Sequence, residues 1–184
     1  VPTYVALLRG INVGKAKRVA MADLRAAIES LGYGDVRTLL NSGNAVFTSQ
    51  RALKKTAAEE LRAALVKKTG ISSRFTLRSA AELQATVDAN LLLKVATDNT
   101  RLFAAFVTDP GGMALVKPVA AQSWKPEAVA LGPSVVYVWC PNGLLESKAS
   151  LAVGKALGDG VTVRNWATVM KLQRLATGDQ PSGR

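Results

Sequence analysis

Short apolar runs and one-faced helical patterns alternate along this chain in an order that leaves few folds open. Tyr4-Val5-Ala6-Leu7-Leu8 is a continuous apolar run of strand length, and residues 3–8 read as a buried strand. Met21, Leu24, Ile28 and Leu31 then fall on one face of a helix that Gly32 stops. Val36 to Leu40 reads as a second strand. Ser42-Gly43 supplies a tight turn, and Ala45 to Thr48 its hairpin partner. Leu53, Ala57, Leu61, Ala64 and Leu65 mark a second helix ending near Gly70, and Ser73 to Leu77 a fourth strand. The order is βαββαβ.

The order recurs in the second half. A helix is expected over 79–89, then a connection from Asn90 to Thr100 with a partial helical turn at Leu91-Leu93. Leu102 to Val107 reads as a strand, broken by Asp109-Pro110-Gly111-Gly112, with a short helix around Met113 to Val116. Ala128 to Leu131 and Val135 to Trp139 form a hairpin around Gly132-Pro133-Ser134. A helix over 147–157, a short strand from Val161 to Val163 and a closing helix from Asn165 to about Ala176 complete the repeat. The halves share element order rather than evident sequence identity.

The expected class is therefore α+β, with two ferredoxin-like βαββαβ units, each an antiparallel sheet with helices on one face. Strand order within each sheet is expected to be fourth, first, third, second. The first unit is assigned to 1–78, a linker helix and connection to 79–100, the second unit to 101–177, and a disordered tail to 178–184.

Composition narrows the chemistry. At 184 residues and 48% hydrophobic content the chain can bury a core. No apolar run approaches the roughly 20 residues of a membrane span, and the first residues show no signal-peptide pattern, so a cytoplasmic protein without a membrane role is expected. Cys140 is the single cysteine, which rules out an internal disulfide and paired-cysteine zinc sites. Histidine is absent, which removes Ser-His-Asp and Cys-His catalysis. Cys140 ends an apolar strand and reads as a buried structural thiol. No cofactor motif and no catalytic nucleophile or base is assigned.

The net charge is +11. Residues 1–90 hold 14 Lys/Arg against 7 Asp/Glu, and residues 91–184 hold 10 against 6, so the excess belongs to both halves. Such a surface attracts phosphate-bearing partners, nucleic acid included, or simply keeps the protein soluble. Aromatic content of 5%, and a first strand without paired aromatics, weigh against RNA read by stacking.

Three polar motifs sit at strand ends. The first is Arg9-Gly10-Ile11-Asn12-Val13-Gly14-Lys15. It fails as a P-loop, having three spacers between its glycines and Ala16 after Lys15, and it lacks the Gly-x-Gly of a dinucleotide fold. It remains either a glycine-containing anion loop near Arg9, Lys15, Lys17 and Arg18, or a structural turn. Asn41-Ser42-Gly43-Asn44 is either a hairpin turn alone or a turn with a ligand contact. In Thr162-Val163-Arg164-Asn165-Trp166, Asn165 is a helix cap, and Arg164 is either a solvated flank or part of an anion site at the helix N-terminus.

The run Tyr4 to Gly14, Met21 with Leu24, Ser42-Gly43-Asn44 with Phe47, Ser147-Lys148, Thr162 with Arg164-Asn165-Trp166, Thr168-Val169 and Lys171-Leu172 resemble the bacterial family catalogued as domain of unknown function 1697. The resemblance runs from Thr3 to about Ala176. It implies an α+β protein of two similar subdomains and no particular activity. Lys15 stands where the family usually has a second glycine, and Ala20 where a proline is common.

The expected function is binding of a small anionic ligand in a cleft between the two units. Arg9, Lys15 and Arg164 would supply charge, and Asn12, Ser42, Asn44 and Asn165 hydrogen bonds. Nucleic-acid binding through surface charge, or an interaction module without ligand, are the alternatives.

Overall fold

The computed structural model describes residues 1–179. It contains two four-stranded antiparallel sheets with helices, in two βαββαβ units, so the fold class is as expected. Among the described residues, the units comprise Val1–Leu83 with 172–179, and Gln84–Lys171.

In the first unit, β1 (Thr3–Leu8), α1 (Met21–Glu29), β2 (Gly34–Leu39), β3 (Asn44–Thr48), α2 (Ala57–Thr69) and β4 (Phe75–Ser79) give the sheet order β2-β3-β1-β4. That is the expected fourth, first, third, second, read from the other edge. The strand period of two sends Ala6 and Leu8 of β1, Ala45 and Phe47 of β3 and Phe75 of β4 into one core. Helices α1 and α2 close that face with Leu24, Ala27, Ile28, Leu61 and Leu65. Tyr4 stacks on Phe47 with ring centroids 5.9 Å apart, and Tyr33 approaches Phe47 at 4.8 Å. Val5 and Leu7, on the opposite face of β1, are buried as well, which is why the run reads as continuously apolar.

Helix α3 (Ala80–Asp88) begins in the first unit and leads into the second, by way of a 3-10 turn at Leu91–Lys94, to β5 (Leu102–Val107). There follow α4 (Gly112–Ala120), β6 (Ala128–Gly132), β7 (Val135–Trp139), α5 (Lys148–Leu157), β8 (Val161–Asn165) and α6 (Trp166–Thr177). The sheet order is β6-β7-β5-β8, the same topology as the first. Ala105, Val107, Val136, Val138 and Val161 form the sheet side of the core, and Val116, Val119, Ala149, Val153 and Leu157 the helix side. Tyr137 is fully buried; its hydroxyl donates to the Thr86 carbonyl, and its ring meets Trp166 edge-on at 6.0 Å.

Several boundaries differ from expectation for identifiable reasons. Helix α4 runs to Ala120, straight through Pro118, rather than stopping at Val116. Burial of Val116 and Val119 one turn apart holds the helix past the proline, whose missing N–H spares only an exposed turn. Strand β2 begins two residues early at Gly34, because an irregularity between Gly34 and Arg37, with Asp35 at φ 47°, hides the pairing from any apolar pattern. Strands β4 and β8 each extend two residues beyond the expected end. Arg78 pairs with Val5, and Arg164 with Ala104, so both arginines lie inside sheet ladders rather than in loops. The expected disordered tail falls mostly on 180–184, outside the described residues; Gly178 and Asp179 follow α6.

Candidate functional site

The loop from Arg9 to Ala20 joins β1 to α1 and is organised by one side chain. Asn12 sits in the left-handed region at φ 55°, which asparagine tolerates better than most residues. Its Nδ2 donates to the Val19 carbonyl at 2.8 Å and to the Asn41 carbonyl at 2.6 Å. Its Oδ1 accepts the Val19 amide at 2.8 Å, and its own amide donates to the Lys17 carbonyl at 3.0 Å. Asn12 therefore closes the loop on itself and ties it to the β2–β3 hairpin. The end of β1 and that hairpin lie at one end of the sheet, as the βαββαβ path requires.

The hairpin turn is longer than two residues: Leu39 pairs with Asn44, leaving Leu40 to Gly43 outside the ladder. Leu40 (φ 57°) and Gly43 (φ 87°) both take the left-handed region. A Cβ on Gly43 would stand 2.7 Å from Leu8 Cβ and 2.8 Å from Ile11 Cδ1, so the turn also needs glycine for space. The Gly43 carbonyl accepts the Leu8 amide at 2.9 Å. Asn44 is fully buried, and its Nδ2 donates to the Leu39 carbonyl and to Ser42 Oγ, both at 2.9 Å.

The basic residues stand around this frame. The Arg9 carbonyl accepts Ser73 Oγ at 2.8 Å and its amide donates to the Arg74 carbonyl, which fixes the start of the loop. Lys15, Lys17 and Arg18 are exposed. Helix α1 opens without a side-chain cap, because Ala20 occupies the cap position. The Asp23 and Leu24 amides bond back to the Ala20 carbonyl, while those of Met21 and Ala22 meet no acceptor among the described residues. An open cavity of about 460 Å³ lies at this helix end, lined by Asn12, Arg18, Val19, Met21, Asp23 and Asn41 among others. Arg18 and Asn41, which the motif reading leaves outside the candidate site, line it; Arg9, Lys15, Ser42 and Asn44 do not.

Arg164 and Asn165 belong to the second unit. Asn165 caps α6 as expected, its Oδ1 accepting the Thr168 amide at 2.9 Å. Arg164 is not a solvated flank: it is buried, and burial pulls its pKa down to about 10. Its Nη1 donates to the Val163 carbonyl at 2.9 Å. Arg78 in the first unit repeats this arrangement. Its Nη1 donates to the Leu77 carbonyl at 2.9 Å, burial lowers its pKa, Glu82 opposes that shift, and Ser79 caps α3 by accepting the Glu82 amide. The signal was present in the sequence as Thr76-Leu77-Arg78-Ser79 against Thr162-Val163-Arg164-Asn165, a short repeat at matched positions.

A second cavity, of about 420 Å³, lies in the second unit beside Cys140, Trp124, Glu127, Glu146, Ser147 and Lys148. Glu127 occupies the N-terminus of α5: its carboxylate accepts the Lys148 amide at 3.0 Å, the Ala149 amide at 3.3 Å and the Ser147 hydroxyl. A carboxylate already at the helix end leaves no anion site there. Cys140 is 1% exposed. Burial pushes its thiol pKa up, a hydrogen bond with Ser147 opposes this, and Glu127 adds to the rise. Among the described residues there is no cluster of three or more metal-ligating side chains, and no helix is long and apolar enough to cross a membrane.

A family model described as protein of unknown function DUF1697 matches residues 1–137. The chain belongs to this family. The matched stretch includes the Arg9–Lys15 loop and the Asn41–Asn44 turn and ends before Arg164. A solved structure, that of a conserved bacterial protein from Streptococcus pneumoniae, is similar over 95% of this chain and 98% of that one. Its sequence identity is 25% and its TM-score 0.74, so the likeness extends through the second unit of the DUF1697 protein. None of the curated proteins matches.

Proposed function

We propose that this DUF1697 protein binds a small anionic ligand at the open N-terminus of α1. The observation that carries the reading is the uncapped helix end within a cavity lined by Arg18, Asn12 and Asn41. Two amides without acceptors and a helix dipole favour negative charge there, and Arg18 adds a full positive charge. Asp23 in the same cavity offsets part of that field, so Arg18 sets its sign. Arg9, Lys15 and Lys17 raise the local anion concentration. Asn12 acts indirectly: both hydrogens of its amide are already committed to backbone carbonyls, so it shapes the loop and leaves the ligand to its neighbours.

The test is a thermal-shift panel of inorganic phosphate, small carboxylates and nucleotides on the intact chain. The reading expects a ligand whose stabilising shift is lost in Arg18→Ala while the melting temperature without ligand is unchanged. The same titration on Arg164→Lys and Asn165→Ser reads whether the second-unit motif contributes. A panel with no Arg18-dependent shift sinks the reading. The net charge of +11 favours generic nucleic acid as a second reading. Affinity for a random duplex that falls steeply with salt, and is insensitive to Arg18→Ala, supports it instead.

A further inference from the structure

The second unit carries a groove along α5 that its own packing does not explain. The inner face of this helix, Ala149, Val153 and Leu157, belongs to the core. The outer stripe, Lys148, Leu151, Gly154 and Lys155, lines a groove of about 570 Å³ with Leu144 and Leu145 of the preceding loop. Leu145 is 99% exposed and Leu151 60% exposed, an apolar pair that the monomer leaves in water.

Gly154 is the decisive residue. Glycine in a helix interior lowers stability relative to alanine. Here the backbone is not left-handed, and a Cβ would meet nothing within 4 Å. Neither conformation nor packing within the chain requires glycine at this point. Its place on the outer stripe, beside Leu151 and Lys155, suits close approach by another backbone.

Charge selects the occupant. Helix α5 contains Lys148 and Lys155 and no acidic residue; Glu146, in the loop before it, also lines the groove, so the two lysines outnumber the one carboxylate there. A second copy meeting this stripe across a twofold axis would bring two lysines from each copy together, with only one Glu146 from each to offset them. A bilayer is flat and would leave the floor at Gly154 empty. We propose that the groove receives an acidic amphipathic helix of a partner protein. The partner's apolar residues cover Leu145 and Leu151, its carboxylates reach Lys148 and Lys155, and a small residue crosses Gly154.

The experiment uses the intact chain as bait for a displayed library of random peptides of about 16 residues, long enough for four helical turns. Peptides are counter-selected on Gly154→Leu. The expected winners carry Asp or Glu beside apolar residues at helical spacing. They bind the wild type at least tenfold more tightly than either Gly154→Leu or the double reversal Lys148→Glu with Lys155→Glu. Gly154→Ala is expected to raise the melting temperature while weakening the same peptides. Failure to recover any peptide that depends on both Gly154 and the two lysines overturns the proposal. Binding to vesicles of about one-third anionic lipid with that dependence overturns it in favour of a membrane surface. A concentration-dependent dimer abolished by the same variants overturns it in favour of self-association. Should Gly154→Leu fail to fold, as circular dichroism would show, the exposed lysine reversal carries the test alone.

Discussion

Asn12 offers the sharpest measurement of what holds the candidate site together, because its contributions separate by substitution. Replacement by alanine removes three hydrogen bonds: two from Nδ2, to the Val19 and Asn41 carbonyls, and one from the Val19 amide to Oδ1. At about 1 kcal/mol net per bond, with the exposed bond to Asn41 discounted, the loss is about 2–3 kcal/mol. Holding alanine at φ 55° adds about 1 kcal/mol of backbone strain. Asn12→Gly loses the same bonds without that strain but gains about 0.4–1 kcal/mol of unfolded-chain entropy, so it should cost about the same as Asn12→Ala, milder by at most about 0.5 kcal/mol. Against a total stability of about 5–15 kcal/mol either change is large. All three tryptophans, Trp124, Trp139 and Trp166, lie in the second unit, so fluorescence reports the wrong half. Urea unfolding is better followed by circular dichroism, with hydrogen exchange at the Val19 amide as the local probe. If both variants cost less than about 1 kcal/mol, or if the Val19 amide keeps its protection from exchange in either, the loop is not held by Asn12 in the way described.

Gly43→Ala should cost about 2–4 kcal/mol in urea unfolding, since it combines left-handed strain with a Cβ 2.7 Å from buried Leu8; a cost under 1 kcal/mol would mean the turn relaxes freely. Glu127→Ala should lower stability by about 2 kcal/mol, because it strips a carboxylate from the N-terminus of α5, and a melting curve identical to wild type would contradict that capping role. The Cys140 thiol should react with a bulky disulfide reagent far more slowly in the native protein than in urea. Since burial raises its folded pKa above the unfolded value, the native state holds the thiol proton longer. Stability should therefore fall as pH rises above the ordinary thiol range, and Cys140→Ser should flatten that part of the profile; equal labelling in both states would refute the burial argument.

What the sequence discloses about this DUF1697 protein follows the physics of each element. Eight strands in the order βαββαβ, twice, are legible because period-two and period-3.6 apolar patterns record burial directly. The ends of β4 and β8 are not legible by that route, because a pattern based on apolarity stops where Arg78 and Arg164 begin. Both arginines continue a ladder whose hydrogen bonds are made by backbone and are indifferent to side-chain charge. The repeat Thr-x-Arg-Ser/Asn carries the missing information in another form. Thr76 and Thr162 are buried at 1% and 2% exposure, each arginine bonds the carbonyl before it, and Ser79 and Asn165 each cap the following helix. A polar tetrapeptide that performs the same three tasks at matched positions of two units is evidence of a duplicated element, and it bears on function. The cap explains Asn165 without a ligand, just as the turn explains Asn44 and the loop closure explains Asn12. The asparagines that first suggested a site are thus the residues that shape its loops. The charge that would hold an anion falls to Arg18, which the sequence places beside the anion loop but which enters the site only once Asn12 has folded that loop against the open end of α1.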